Sequence, residues 1–201
     1  MELVGKKILV TGGSGFLGSR IVKLLKENGV EKITVPRSDS CDLRISENCT
    51  KITKDVDIVF HAAGNVGGIG YNKDHPASVF FDNIMMDTLM MEESRKNGVE
   101  KFIAIGTVCS YPKFTPVPFS EEQIWEGYPE ETNASYGLSK KMMMVQSDAY
   151  RQQYNFKSMV LVQTNLYGPK DNFDPNTSHV IPALIKKFYD AKVSGKSEIE
   201  L

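Results

Sequence analysis

Cysteine is scarce, with Cys41, Cys49 and Cys109 in 201 residues, no Cys-x-x-Cys pair and no zinc-like Cys/His spacing. An odd set of this kind excludes a disulfide framework, fits a reducing compartment and leads us to expect no metal site. No run of eighteen apolar residues occurs, which excludes a membrane-spanning helix, and Met1 to Lys7 carries no signal-peptide apolar region. The expected location is the cytoplasm. Neither sign of charge is in excess (24 Lys+Arg against 25 Asp+Glu, net -1), so nucleic acid and membrane surfaces are not expected partners. Small molecules or another protein are. Internal repeats and low-complexity tracts are missing too, and 201 residues allow one well-buried domain but not two of ordinary size.

What the chain does have is a phenol and an ammonium one helical turn apart, in Tyr136-Gly137-Leu138-Ser139-Lys140. Positions i and i+4 share a helix face, and a nearby cation lowers a tyrosine pKa towards neutrality, which suits a proton donor in carbonyl reduction. The same spacing occurs by chance on many solvated helices, so its neighbours must carry the argument.

The first of these is the apolar run Lys7 to Thr11, followed by Gly12-Gly13-Ser14-Gly15-Phe16-Leu17-Gly18 and a helical pattern from Ser19 to Asn28. Strand, glycine turn, helix is the order that cradles a dinucleotide: glycines let backbone approach a pyrophosphate, and the helix directs free N–H groups at it. The spacing is Gly-x-x-Gly-x-x-Gly, not the Gly-x-Gly-x-x-Gly of the dehydrogenase fingerprint. The second strand, Lys32 to Val35, ends in Pro36-Arg37-Ser38, where an NAD enzyme carries an acid for the ribose hydroxyls. Arg37 suits a 2'-phosphate, which favours NADP; the alternative is an arginine on a solvated loop. Asp42 and Leu43 are candidates for the adenine.

Asp57 to Phe60 reads as a third strand leading into His61-Ala62-Ala63-Gly64, whose small residues Ala62 and Ala63 leave room for a ligand. His61 itself reads as a packed, hydrogen-bonded residue. A long helix from Pro76 to Asn97, stopped by Gly98, is apolar on several sides (Met85, Met86, Leu89, Met90, Met91), enough for the sheet and a second surface, such as another subunit. The fourth strand, Lys101 to Ile105, delivers Thr107 and Cys109; the first is a candidate donor to a carbonyl, the second a thiol that is otherwise inert packing. Residues 112–133 read as a flap, with Thr132 or Asn133 capping the Tyr136 helix. The fifth strand runs from Ser158 to Gln163, and a last helix from His179 to Lys192 tolerates Pro182 in its first turn. The fold class is α/β, a Rossmann-like doubly wound parallel sheet. A cofactor-binding domain over residues 1–170 and the start of a substrate-binding region over 171–201 are expected.

Together these stretches, with Cys109-Ser110-Tyr111-Pro112-Lys113 and Thr164 to Phe173 followed by Ser178 to Leu184, resemble the extended short-chain dehydrogenase/reductase family, and within it the GDP-L-fucose synthases. The resemblance implies a substrate, GDP-4-keto-6-deoxy-D-mannose, epimerised at C3 and C5 and then reduced at C4 by NADPH. It implies Cys109 as base and His179 as acid for epimerisation, and Tyr136, Lys140 and Thr107 for reduction. By the same resemblance Gly12 to Gly18, Ala62, Ala63, Lys140, Gln163, Thr164, Asn165, Leu166 and His179 hold the cofactor, and Asn165 and Lys187 the substrate. It also implies a homodimer through the helices beginning near Pro76 and Thr132. Thr107 stands where that family usually has serine, Gln163 where proline is common, and Lys187 where an arginine grips the diphosphate. The chain stops at Ile199-Glu200-Leu201, where that family enters a further strand and most of its substrate domain. Two other readings are carried forward: a different extended short-chain nucleotide-sugar epimerase, and a cofactor-binding module without turnover.

Overall fold

The fold was described from a computed structural model, which describes residues 2–174 and 177–199. Glu200 and Leu201, part of the expected entry into a further strand, lie outside them.

Five short parallel strands form the sheet: β1 (Lys7–Thr11), β2 (Lys32–Thr34), β3 (Ile58–His61), β4 (Lys101–Ile105) and β5 (Ser158–Leu161). Their spatial order is β2-β1-β3-β4-β5. Each lies at or within two residues of where an apolar run predicts it. The chain leaves β1 towards β2, then crosses back to place β3 on the other side, so the carboxyl ends of β1 and β3 flank the topological switch point. Open α/β sheets bind ligands there.

Side chains alternate between two cores, as a strand's period of two requires. Ile8, Val10, Ile58 and Ile103 face α1 (Phe16–Glu27) and pack with Leu25 and Val30. Leu9, Val59, Phe102 and Ala104 face the other way, into a larger cluster with Cys49 of α2 (Ser46–Thr53), Met90 and Met91 of α4 (Pro76–Lys96) and Met143 of α5 (Ala134–Tyr154). The methionines are thus core on one face of α4. Phe80 and Phe81 of α4 and Met142 and Val145 of α5 are exposed, which is the second surface that the broad apolar pattern predicts. Pro76 opens α4 and Gly98, at φ 71°, follows its end, as the caps predict.

Several elements differ from expectation. Helix α1 begins at Phe16, three residues early, because the helix starts directly on the glycine turn. Helices α2 and α3 (Ile69–Asp74) fall in stretches to which the sequence reading assigns no element; Ser46 to Thr53 is mostly polar, and α3 is barely more than a turn. Asn133 is the cap position of α5, but its side chain does not cap. It accepts from Asn72 and donates to Glu130, whose Oε2 takes the free N–H groups of Thr132 and Asn133 instead. Residues 112–133 form a packed excursion, with a Pro112–Pro129 bridge, Ile124 buried, and Lys141 Nζ donating to the Gly127 carbonyl at 3.1 Å.

Candidate active site

At the end of β1, Gly12 turns the chain with φ 67°, in the left-handed region that side chains avoid. A Cβ there would lie 2.6 Å from the Ala62 carbonyl oxygen, and one on Gly18 would lie 2.1 Å from the Gly12 oxygen. Gly13 abuts Val35 in the same way, at 2.7 Å. The turn is thus pressed between β3, the segment after β2, and the first turn of α1. Gly15 caps α1 without any side-chain hydrogen bond, so the amide donors of the first helical turn are left for an anion. The chain after β5 folds back over this point: Arg20 Nη2 donates to the Pro169 carbonyl at 2.6 Å, and Phe16 reaches to 4.0 Å of where a Gly168 Cβ would stand. Gln163 continues the ladder, its carbonyl accepting from Val108 N–H; Thr164, Asn165 and Leu166 follow, exposed.

The adenine-side residues are less uniform. Arg37 is two-thirds exposed beyond β2 and pairs with Asp39 at 3.4 Å, a long, solvated contact that a phosphate can displace. Asp42 is taken up by Arg44, which holds its carboxyl below the usual range. Leu43 is a core residue, 7% exposed. That burial leaves only the main chain of Leu43 for the expected contact with adenine.

Strand β4 leads into Thr107, which caps a 3-10 turn at Val108–Ser110. Thr107 Oγ1 accepts from the Cys109 N–H at 3.1 Å; among the described residues its own O–H has no acceptor and is left to donate. Helix α5 meets this turn at Gly137, where a Cβ would stand 2.2 Å from the Cys109 oxygen, and Ser110 Oγ donates to the Gly137 carbonyl at 2.9 Å. This close approach sets half-buried Tyr136 beside Cys109, whose N–H Thr107 holds. The Lys140 ammonium is 5.9 Å from the Tyr136 ring centroid. Four of the five predicted catalytic residues therefore converge at the carboxyl ends of the strands.

His179, the fifth, caps α6 (Val180–Val193) and is exposed; among the described residues it makes no hydrogen bond to Cys109. Its segment reaches the same end of the sheet, since the Ser178 and Thr177 carbonyl oxygens lie 3.1 and 3.2 Å from where a Gly68 Cβ would be. Lys187 is exposed on α6.

The expected effect of Lys140 on Tyr136 is not found. Burial, the Asp87 carboxylate and Cys109 push the phenol above its ordinary value. The ammonium is engaged elsewhere: it donates to both oxygens of Asp87, at 2.9 and 3.0 Å, within a site where Lys140 is 2% and Asp87 1% exposed. Asp87 also accepts from His61 Nε2 at 2.9 Å. A carboxylate can only accept, so His61 carries a proton on Nε2, and its Nδ1 is hydrogen-bonded to Thr11 Oγ1 at 2.7 Å. His61 is packed and hydrogen-bonded, as the sequence reading has it; its partners, and Asp87 altogether, escaped that reading. The available signals were an acid inside an apolar helix and a histidine closing a buried strand, each of which needs a partner. A hollow of about 520 Å³ at the amino ends of β4 and β5, lined by Arg95, Glu100, Tyr154 and Phe156 among others, holds none of these residues; the convergence of chemistry at the carboxyl ends outweighs its size.

A profile of the NAD dependent epimerase/dehydratase family matches residues 8–201. The chain belongs to that family. As an epimerase/dehydratase family member it is 39% identical over 193 residues to GDP-L-fucose synthase of Sinorhizobium fredii, covering 95% of this chain and 61% of the relative. To the GDP-L-fucose synthase of Escherichia coli it is 31% identical, covering 96% and 61%. Among solved structures, a Naegleria fowleri GDP-L-fucose synthetase bound to NADP superposes with TM-score 0.87 at 28% identity, covering 100% of this chain and 66% of that one. A Campylobacter jejuni GDP-mannoheptose C4 reductase with NADP bound gives 0.89 at 29%, covering 98% and 59%. The chain thus spans about 60% of the length of these curated relatives. Among its described residues, no helix is long and apolar enough to cross a membrane.

Proposed function

We propose that this chain is the NADP-binding part, over residues 1–170, and the beginning of the substrate region, over 171–201, of a nucleotide-sugar epimerase/reductase that converts GDP-4-keto-6-deoxy-D-mannose to GDP-L-fucose. The observation that carries the reading is the meeting of Tyr136, Lys140, Thr107 and Cys109 beside the glycine turn at the switch point. The cradle formed by Gly12, Gly13 and Gly18, which a single Cβ would fill, fits a pyrophosphate, with the uncapped amides of α1 as its donors. Ala62 and Ala63 floor that cradle; Arg37 takes the 2'-phosphate, and Ser14, Phe16, Leu17, Asp42 and the 163–166 segment complete the contacts. When bound, NADPH supplies the hydride.

Protons beside a ketone are acidified because the resulting carbanion delocalises into an enolate. Cys109 removes such a proton and His179 returns one on the opposite face. Thr107 donates to the ketone oxygen and Tyr136 delivers the proton that completes reduction. Asn165 and Lys187 hold the diphosphate sugar, Lys187 as a point charge. The exposed apolar side chains of α4 and α5 fit a homodimer, and a cytoplasmic location fits the reduced cysteines.

The test is NADPH oxidation by the purified chain given that ketosugar, with NADPH binding followed separately by fluorescence. Turnover is expected to fall at least about a hundredfold in Tyr136→Phe, the scale of a lost general acid, with binding intact. Binding without turnover in the parent chain would favour the second reading, a cofactor-binding module; the exposed positions of His179 and Lys187 are what support it. Turnover with a different GDP-4-ketosugar only would favour another reductase or epimerase of the family. Arg37→Ala is expected to weaken NADPH at least about tenfold while leaving NADH nearly unchanged, since a charge-assisted phosphate contact is lost. Equal weakening of the two cofactors would remove Arg37 from the phosphate site.

A further inference from the structure

Lys140 is wholly enclosed, and every charged group around it has a defined partner. Two of its three N–H donors go to Asp87, one to each oxygen. Oδ1 of Asp87 is shared with His61, whereas Oδ2 takes Lys140 alone. Behind His61, Thr11 Oγ1 is hydrogen-bonded to Nδ1 and accepts from the Ala63 N–H at 3.3 Å. Thr11 is the last residue of β1, and Gly12 follows it against Ala62. An unbroken set of contacts therefore runs from the ammonium to the glycine turn, across the switch point between β1 and β3.

We propose that Asp87 is the positioning residue of this site: it holds the Lys140 ammonium below Tyr136 through both carboxylate oxygens, while His61 and Thr11 anchor that carboxylate to the strand end that forms the glycine turn. This rests on Tyr136 and Lys140 being the proton-transfer pair. The geometry gives the device a direction. Letting go of Oδ2 leaves the ammonium tethered to Oδ1 and frees one further N–H for a ligand hydroxyl or the phenol. Until then the negative charge of Asp87 is set against the phenolate, and the lysine is held from neutralising it. His61 keeps the carboxylate from turning with the lysine, because its Nε2–H fixes Oδ1.

The groups that face Tyr136 are Asp87 from α4, Cys109 from the turn after β4 and Lys140 from its own helix, with His61 of β3 behind Asp87. The test uses the ligand-free chain labelled at tyrosine Cζ with carbon-13, the Tyr136 signal being assigned by its loss in Tyr136→Phe. Tyr136 is expected to titrate above the ordinary tyrosine value of about 10 in the parent. In Asp87→Asn it is expected to titrate about one unit lower or more, since an anion is removed and a cation released. A folded Asp87→Asn chain whose Tyr136 titrates as in the parent overturns the proposal, because neither the lost anion nor the released ammonium would then act on the phenol. Where Asp87→Asn does not fold, nitrogen-15 lysine spectra of the parent decide. The Lys140 ammonium must stay visible at about pH 8, where exposed lysine ammoniums are lost to exchange with water; an ammonium as labile as theirs overturns it. Neither readout needs cofactor or sugar, so absence of turnover would count against the proposed function and leave this result standing.

Discussion

Gly18→Ala is expected to abolish NADPH binding, with affinity down by at least about a hundredfold, and to destabilise the chain by about 3 kcal/mol, the upper range for a group forced into a packed site. The added methyl would meet the Gly12 oxygen at 2.1 Å, the Gly12 carbonyl carbon at 2.6 Å and Gly13 Cα at 2.7 Å. All three are backbone atoms, so no side chain can rotate aside. Either α1 slides away from the turn or the turn opens, and both move the helix amides off the phosphate position. Gly70→Ala is the control, since a Cβ there meets nothing within 4 Å. NADPH titration and urea unfolding of both variants check the pair. Parent-like affinity in Gly18→Ala would mean that the turn is not the cofactor cradle.

Lys140→Met carries the second large effect. The substitution keeps most of the side-chain volume and removes the ammonium, leaving Asp87 buried with only His61 as partner. Breaking a buried pair by deleting one member costs about 3–5 kcal/mol. The pH dependence then changes sign. In the parent, burial alone would raise the Asp87 pKa, but Lys140 and His61 hold it below the carboxylate range. That stability is present above the unfolded value of about 3.9 and is lost only as pH falls through the lower folded value. Without the ammonium, burial raises the Asp87 pKa above its unfolded value, and stability declines as pH rises between the two. The gap between parent and variant should therefore widen from about pH 5 to pH 8 in urea unfolding. A gap that does not change with pH would show that Asp87 is not the group left uncompensated.

Much of the fold was legible because each strand is an apolar run bounded by turn residues, and because Gly12 to Gly18 sits between strand and helix. The helices α2 and α3 were not, since Ser46 to Thr53 buries only Cys49 and Thr53 and offers little periodic apolar signal. The cluster of Tyr136, Lys140, Thr107 and Cys109 was readable as residue types at strand and helix ends. Its electrostatics were not. Spacing places Lys140 one turn from Tyr136, but only the tertiary packing of α4 against α5 brings Asp87 to the ammonium, and no local pattern encodes a partner 53 residues away. The inward turn of the Leu43 side chain was hidden for the related reason that a residue's sequence position after β2 does not say which way its side chain points.

The two outer strands of the sheet are unequal. Strand β2 is three residues long, with Lys32 and Thr34 exposed and Pro36 close behind, which is a poor template for another chain. Among the described residues no strand pairs with the outer side of β5, and its Met159 and Leu161, in register with Ile103 and Ile105 of β4, are 39% and 40% exposed on the face that α1 covers elsewhere. Backbone donors in a row beside bare apolar side chains are what a growing fibril recruits. Self-association of this chain is expected to run through β5, and Met159→Lys or Leu161→Lys is the smallest change expected to blunt it.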